Sequence, residues 1–128
     1  MVEPSPRVLD DLGEILLPAE AIQARIAEIG GAISRDYADK RPLLVGVLNG
    51  VVLFMADLLR QITIPVQVDF MAVSNFASDS TSGMVRITKD LDESITGRHV
   101  LFVEDVIDTG LTLNYLLRTL RFRRTKSL

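Results

Sequence analysis

Residues 100–112, VLFVEDVIDTGLT, hold most of the groups in this chain whose type and spacing could do chemistry. The apolar run Val100–Val103 reads as a buried parallel strand. Glu104 and Asp105 come directly after it, then Val106 and Ile107, then Asp108-Thr109-Gly110-Leu111-Thr112 leading into an apolar-periodic helix. Acids just past a strand, with a small-residue turn opening a helix, build a site for phosphate and sugar hydroxyls in α/β proteins. The backbone N–H groups and hydroxyls of such a turn face a phosphate, and the helix dipole favours its charge. The two acids suit ribose hydroxyls or a magnesium ion. Helix capping alone would need one polar residue, and this segment supplies more.

The surrounding elements must hold that segment in place. Ile22, Ile26, Ile29 and Ile33 form one helical stripe after Pro18, interrupted by Gly30-Gly31, a small pair that suits close packing against a sheet. Residues 43–48 form a first buried strand, broken by Asn49-Gly50. A helix follows with Val51, Phe54, Met55, Leu58, Leu59 and Ile62 on its inner face, and Ile64-Pro65 should end it. Val66, Val68 and Phe70 alternate with Gln67, Asp69 and Met71, a second strand with one wetter face. Residues 74–83 are rich in Ser, Thr, Asp and Gly, and Val85 and Ile87 alternate beyond them, which predicts two hairpin arms joined by a mobile loop. Leu113, Leu116, Leu117 and Leu120 face the core from the last helix. The order predicts an α/β fold whose parallel sheet is covered on both faces, with strand 43–48 between strands 64–73 and 99–103. Asn49-Gly50 and residues 104–112 would then share the crevice at the carboxyl ends of the strands.

Composition narrows the function classes. The 128 residues are 48% hydrophobic and 24% charged, as in one globular domain. A net charge of −3 does not suggest nucleic-acid binding. The absence of cysteine excludes disulfides and thiolate metal sites. No apolar run approaches a membrane span and no basic-then-apolar leader pattern opens the chain, so a cytoplasmic location is the default expectation. His99, the one histidine, is read as structural. Residues 1–7, with two prolines, should be mobile. The basic end, residues 121–128, reads as a solvated helix end whose cations complement the dipole. With nothing after it, the all-apolar strand 100–103 would be an unprotected edge, so the natural chain is expected to continue.

Segment 100–112 closely resembles the phosphoribosyl-pyrophosphate (PRPP) motif of type I phosphoribosyltransferases: apolar strand, two acids, two apolar residues, Asp-Thr-Gly-x-Thr. The similarity runs over residues 12–120 and is to the bacterial enzymes acting on hypoxanthine and guanine. It implies the type I fold with a hairpin lid, in one core domain covering residues 1–128. It implies purine salvage: transfer of 5-phosphoribosyl from PRPP to N9 of hypoxanthine or guanine, giving a nucleotide and pyrophosphate. By resemblance, Glu104 and Asp105 hold the ribose hydroxyls and a Mg2+-bound substrate, and Asp108 is the general base. Asp108, Thr109, Gly110, Leu111 and Thr112 cradle the 5′-phosphate. Leu48, Asn49 and Gly50 receive pyrophosphate, and the family often has a cis bond before the position of Asn49, which it commonly fills with a basic residue. Ser74, Asn75 and Phe76 open the lid, where the family carries Ser-Tyr. Lys89-Asp90 also fits the family pattern. The resemblance implies a homodimer or homotetramer, with no nucleic-acid or membrane partner. The family's two further strands and purine-recognising hood have no counterpart here. The alternatives are a related transferase for xanthine or a pyrimidine, and a PRPP-binding module without catalysis.

Overall fold

The computed structural model describes residues 10–75 and 85–128. In chain order these form α1 (Ala19–Asp36), β1 (Leu43–Val47), α2 (Val51–Arg60), β2 (Gln67–Asn75), β3 (Val85–Lys89), β4 (Val100–Val103) and α3 (Leu111–Arg121). The sheet order is β3-β2-β1-β4, so the first strand lies between β2 and β4, as the order of elements predicted. β1 pairs in parallel with β2 and with β4, and β3 returns antiparallel to β2 as a hairpin arm. The expectations for residues 1–7 and for most of the 74–83 loop fall outside the described residues. Ser74 and Asn75 belong to β2, paired with Arg86 and Val85, and Phe76 lies outside.

Alternation along β1 divides the core in two. Leu43 and Val45 point to the face covered by α3, where they meet Met71, Ile95, Val100, Leu116 and Leu120. Leu44 points to the other face, where Ile26 of α1 and Val51, Met55 and Leu58 of α2 cover it. Gly46 lets α2 come close: a Cβ there would stand 2.8 Å from a methyl of Val51. No helix among the described residues is long and apolar enough to cross a membrane.

The structure corrects several local expectations. The second face of β2 is not wet throughout, since Met71 is fully buried beneath α3 and only Asp69 carries charge there. α2 stops at Arg60, before Ile64-Pro65, where Thr63 N–H turns instead to the Ser34 hydroxyl at 3.0 Å. Gly30 packs not on the sheet but on Gln61 at the end of α2, whose carbonyl would lie 2.7 Å from an added Cβ.

α3 ends as expected on exposed basic residues, Arg118 and Arg121 in its last turn, but the residues after it fold back rather than continue as a solvated end. Arg123 forks onto Asp90 at 2.7 and 2.8 Å, and Leu128 packs against the core. Ser127 forms a parallel bridge with His99, and its carbonyl accepts the Val100 N–H at 3.0 Å. The start of β4 is thus partly covered by returning chain. His99 is structural as read, with Nδ1 2.6 Å from the Ser127 hydroxyl and its ring edge-on to Tyr37. Lys89 and Asp90 are not a pair with each other: Lys89 bridges to Asp69 and Asp92, and Asp90 to Arg123.

Candidate active site

β1 and β4 are adjacent and parallel, so the loops at their carboxyl ends meet. The β1 loop is a tight turn. The Leu48 N–H donates to Met71 O at 2.9 Å, tying the turn to β2, and the Asn49 carbonyl accepts from Val52 N–H at 3.1 Å as α2 begins. The Leu48–Asn49 peptide is cis. Asn49 and Gly50 are exposed at the crevice.

The β4 loop faces this turn. Glu104 and Asp105 follow Val103, the last apolar residue of β4, directly, where the chain leaves the sheet. Val106 N–H donates to Asp105 Oδ1 at 2.9 Å and fixes that carboxylate. A Cβ built on Gly50 would stand 3.0 Å from Asp105 Oδ2, so the two loops touch. Burial, and after it the neighbouring Asp105, raise the Glu104 carboxyl above its ordinary pKa. Two carboxylates side by side are suited to cations and hydroxyl donors.

Residues 108–110 form the turn into α3. Gly110 adopts φ 82°, a left-handed conformation that favours glycine. It occupies the N-cap position, and no side chain caps the helix. Thr109 Oγ1 accepts only the Leu111 N–H, at 3.3 Å. The remaining N–H groups of the first turn have no intrahelical acceptor and face outward, ready for an anion. A groove of about 300 Å³ runs along this loop, lined by Glu104, Asp108, Thr109, Gly110 and Thr112 together with Val106 and Ile107. Leu111, also named from the sequence, starts the helix beside it and is largely exposed.

The structure therefore brings together Leu48, Asn49, Gly50, Glu104, Asp105 and residues 108–112 at one end of the sheet. It does not bring Lys89 or Asp90 there, since both are engaged in ion pairs at the hairpin root. Sequence reasoning missed the exposed apolar wall of Val106 (75%) and Ile107 (62%) beside Asp108. The signal was present, two apolar residues set between acids, yet alone it resembles any core position. Among the described residues no three His, Cys, Asp or Glu side chains form a metal cage. Two other hollows lie at the amino ends of the strands, one beside Lys40, Arg41 and Arg98, and a third lies between α1 and Phe54 of α2; none of the motif residues lines them.

Comparison with known proteins agrees with this architecture. Residues 13–128 match the family model of the phosphoribosyl transferase domain. The chain is 50% identical to a hypoxanthine-guanine phosphoribosyltransferase of Mycobacterium avium, over 98% of this chain and 66% of that protein. It is 44% identical to the protein of that name from Bacillus subtilis, over 92% of this chain and 66% of the other. A crystal structure of a hypoxanthine phosphoribosyltransferase from Staphylococcus aureus superposes with a TM-score of 0.91 at 38% identity, covering 98% of this chain and 69% of that one. The chain spans just under two thirds of the length of these two curated relatives, 66% of each.

Proposed function

We infer the function from one premise: this chain belongs to the phosphoribosyl transferase family. On that premise the chain carries the PRPP site of a cytoplasmic purine-salvage enzyme that transfers 5-phosphoribosyl to N9 of hypoxanthine or guanine and releases pyrophosphate. The observation that carries this reading is the meeting of two loops at one end of the sheet. One is an acid-free turn at Leu48-Asn49-Gly50, the other an acidic pair continuing into an uncapped helix start, and Gly50 lies against Asp105. A ligand with pyrophosphate at one end, sugar hydroxyls in the middle and a phosphate at the other matches that sequence of environments.

The roles follow from the chemistry of each group. Thr109, Gly110, Leu111 and Thr112 hold the 5′-phosphate through first-turn amides and hydroxyls, together with the amide of Asp108. Glu104 and Asp105 accept hydrogen bonds from the ribose hydroxyls, and Leu48, Asn49 and Gly50 hold the pyrophosphate. The sugar carbon becomes oxocarbenium-like as pyrophosphate leaves, so fixed geometry and charge supply most of the catalysis. Asp108 stands in the groove beside the apolar Val106 and Ile107, where a flat heterocycle fits and the carboxylate can take or share its ring proton. The donor set fits magnesium: two hard carboxylates that form no complete protein cage suit an ion whose other ligands are substrate oxygens and water. When bound, the metal would neutralise the pyrophosphate, with Glu104 and Asp105 holding it. Oligomer formation as a homodimer or homotetramer belongs to the same reading.

Nucleotide formation by the purified chain, with PRPP and in turn hypoxanthine, guanine, xanthine and uracil, tests the reading. Inosine and guanosine monophosphate are the expected products. Product from xanthine or uracil alone would reassign the base, and tight PRPP binding with no product from any base would reassign this chain as a binding module.

A further inference from the structure

The reading of the crevice as a PRPP site, on which this inference rests, treats its pyrophosphate turn and its sugar-hydroxyl acids as separate parts. The contact between Gly50 and Asp105 joins them. Gly50 has φ −56° and ψ −31°, a right-handed conformation open to any residue, so the backbone does not call for glycine. A Cβ built there would stand 3.0 Å from Asp105 Oδ2 and 3.8 Å from its Cγ, with no other atom within 4 Å beyond its chain neighbours. What occupies the space of a side chain at residue 50 is thus one carboxylate. That carboxylate is held from its other side, where Oδ1 accepts the Val106 N–H at 2.9 Å.

We propose that Gly50 is a positioning residue for the sugar-hydroxyl acids: the absence of a side chain there leaves the room that the Asp105 carboxylate occupies, so the pyrophosphate turn sets where that carboxylate stands. Residue 50 is glycine to leave room for the carboxylate. A methyl group there does not threaten the fold, because Asp105 is exposed and its side chain can turn away. It instead displaces the group that accepts the sugar hydroxyls. Gly50→Ala should therefore weaken a ligand that never reaches residue 50.

Ribose 5-phosphate is that ligand, since it carries the hydroxyls and the 5′-phosphate but no pyrophosphate. Calorimetry on the chain would give its affinity, and that of magnesium pyrophosphate, for the wild type, Gly50→Ala, Asp105→Ala and the double variant. Gly50→Ser would repeat the comparison, and circular dichroism would establish that each variant is folded. The expected result is a loss of about tenfold in ribose 5-phosphate affinity for Gly50→Ala, the scale of one hydrogen bond to a charged group. In the Asp105→Ala background the same methyl should cost nothing, because the group it displaces is gone. Unchanged ribose 5-phosphate affinity in Gly50→Ala, or an equal loss with and without the Asp105 carboxylate, overturns the proposal while leaving the PRPP site intact. A wild-type chain that binds neither ribose 5-phosphate nor pyrophosphate overturns both.

Discussion

Glu104 and Asp105 place two carboxylates on consecutive residues at the end of a buried strand, an arrangement that works against stability. Burial first, and then Asp105, raise the Glu104 pKa above its ordinary value. A carboxyl whose folded value exceeds its unfolded one stabilises the fold while protonated. That contribution is fully present below the unfolded value and is lost as pH rises through the folded one. At neutral pH the ionised Glu104 thus opposes folding of the free protein. Glu104→Gln should raise the melting temperature at pH 7.5 in metal-free buffer, with the gap narrowing as pH falls below the usual carboxylate range, while PRPP binding weakens. A melting temperature at or below that of the wild type at pH 7.5 would count against this account. Asp108 has a different part. It stands in the open groove, and Asp108→Asn should bind PRPP nearly as before, because the amides of the turn remain, but turn over about 10²–10⁴-fold more slowly, since an amide cannot take the purine proton. Calorimetry with steady-state kinetics separates the two effects, and full turnover in this variant would remove Asp108 from its assigned role.

Among the elements, α1 sets intrinsic propensity against packing at two adjacent glycines. Replacing glycine by alanine within a helix gains about 1 kcal/mol. At Gly31 a new Cβ would meet only the Arg35 guanidinium at 3.5 Å, so Gly31→Ala should stabilise the chain by roughly that amount. At Gly30 it would lie 2.7 Å from the carbonyl oxygen of Gln61 and 2.9 Å from its carbon, backbone atoms that cannot turn aside. Gly30→Ala should instead destabilise by about 1–3 kcal/mol, the usual cost of overpacking. Urea unfolding of both variants checks the opposite signs. At the hairpin root, the Arg123 guanidinium holds the Asp90 carboxyl below its ordinary range against an opposing effect of burial. Its contribution is present above the unfolded pKa and is lost as pH falls through the lower folded value. Asp90→Asn should therefore show a shallower loss of stability below pH 4, an effect kept small by the half-exposed carboxylate. Thermal scans from pH 2 to 6 would reveal a slope equal to that of the wild type if the pair contributes nothing. These elements also mark the limit of what the sequence made legible. Apolar runs and the order of helices and strands were enough to place 43–47 at the centre of the sheet, because periodicity and crossover handedness are local rules. The partner of Gly30, the burial of Met71 and the return of Ser127 to His99 were not legible, since each depends on a residue distant in the chain.

For the whole molecule, the consequence of the topology is that the groups proposed to bind the ligand belong to loops rather than to the core. Helices cover both faces of the sheet, and the Leu48–Gly50 turn and residues 104–112 leave it at the carboxyl ends of neighbouring strands. The proposed acids and phosphate cradle after β4 could be named from the sequence because one short segment carries them all, whereas the contact of Gly50 with Asp105 required the parallel pairing of β1 with β4. A ligand spanning both loops adds to the contact they already make, and a ligand bound only to the native state stabilises it by mass action, about 2.7 kcal/mol at a hundredfold excess over Kd. PRPP with magnesium should accordingly raise the melting temperature by several degrees, and ribose 5-phosphate should raise it less because it engages the β4 loop alone. Chelation should separate the two ligands. The Leu48–Gly50 turn carries no cation and its Gly50 lies against Asp105, so pyrophosphate without its metal meets like charge there. EDTA should remove most of the PRPP shift and leave the ribose 5-phosphate shift almost unchanged. Differential scanning fluorimetry with both ligands, with and without EDTA, provides the measurement. Equal PRPP shifts in the two buffers would mean that the pyrophosphate end is neutralised by some group other than a metal held at Glu104 and Asp105.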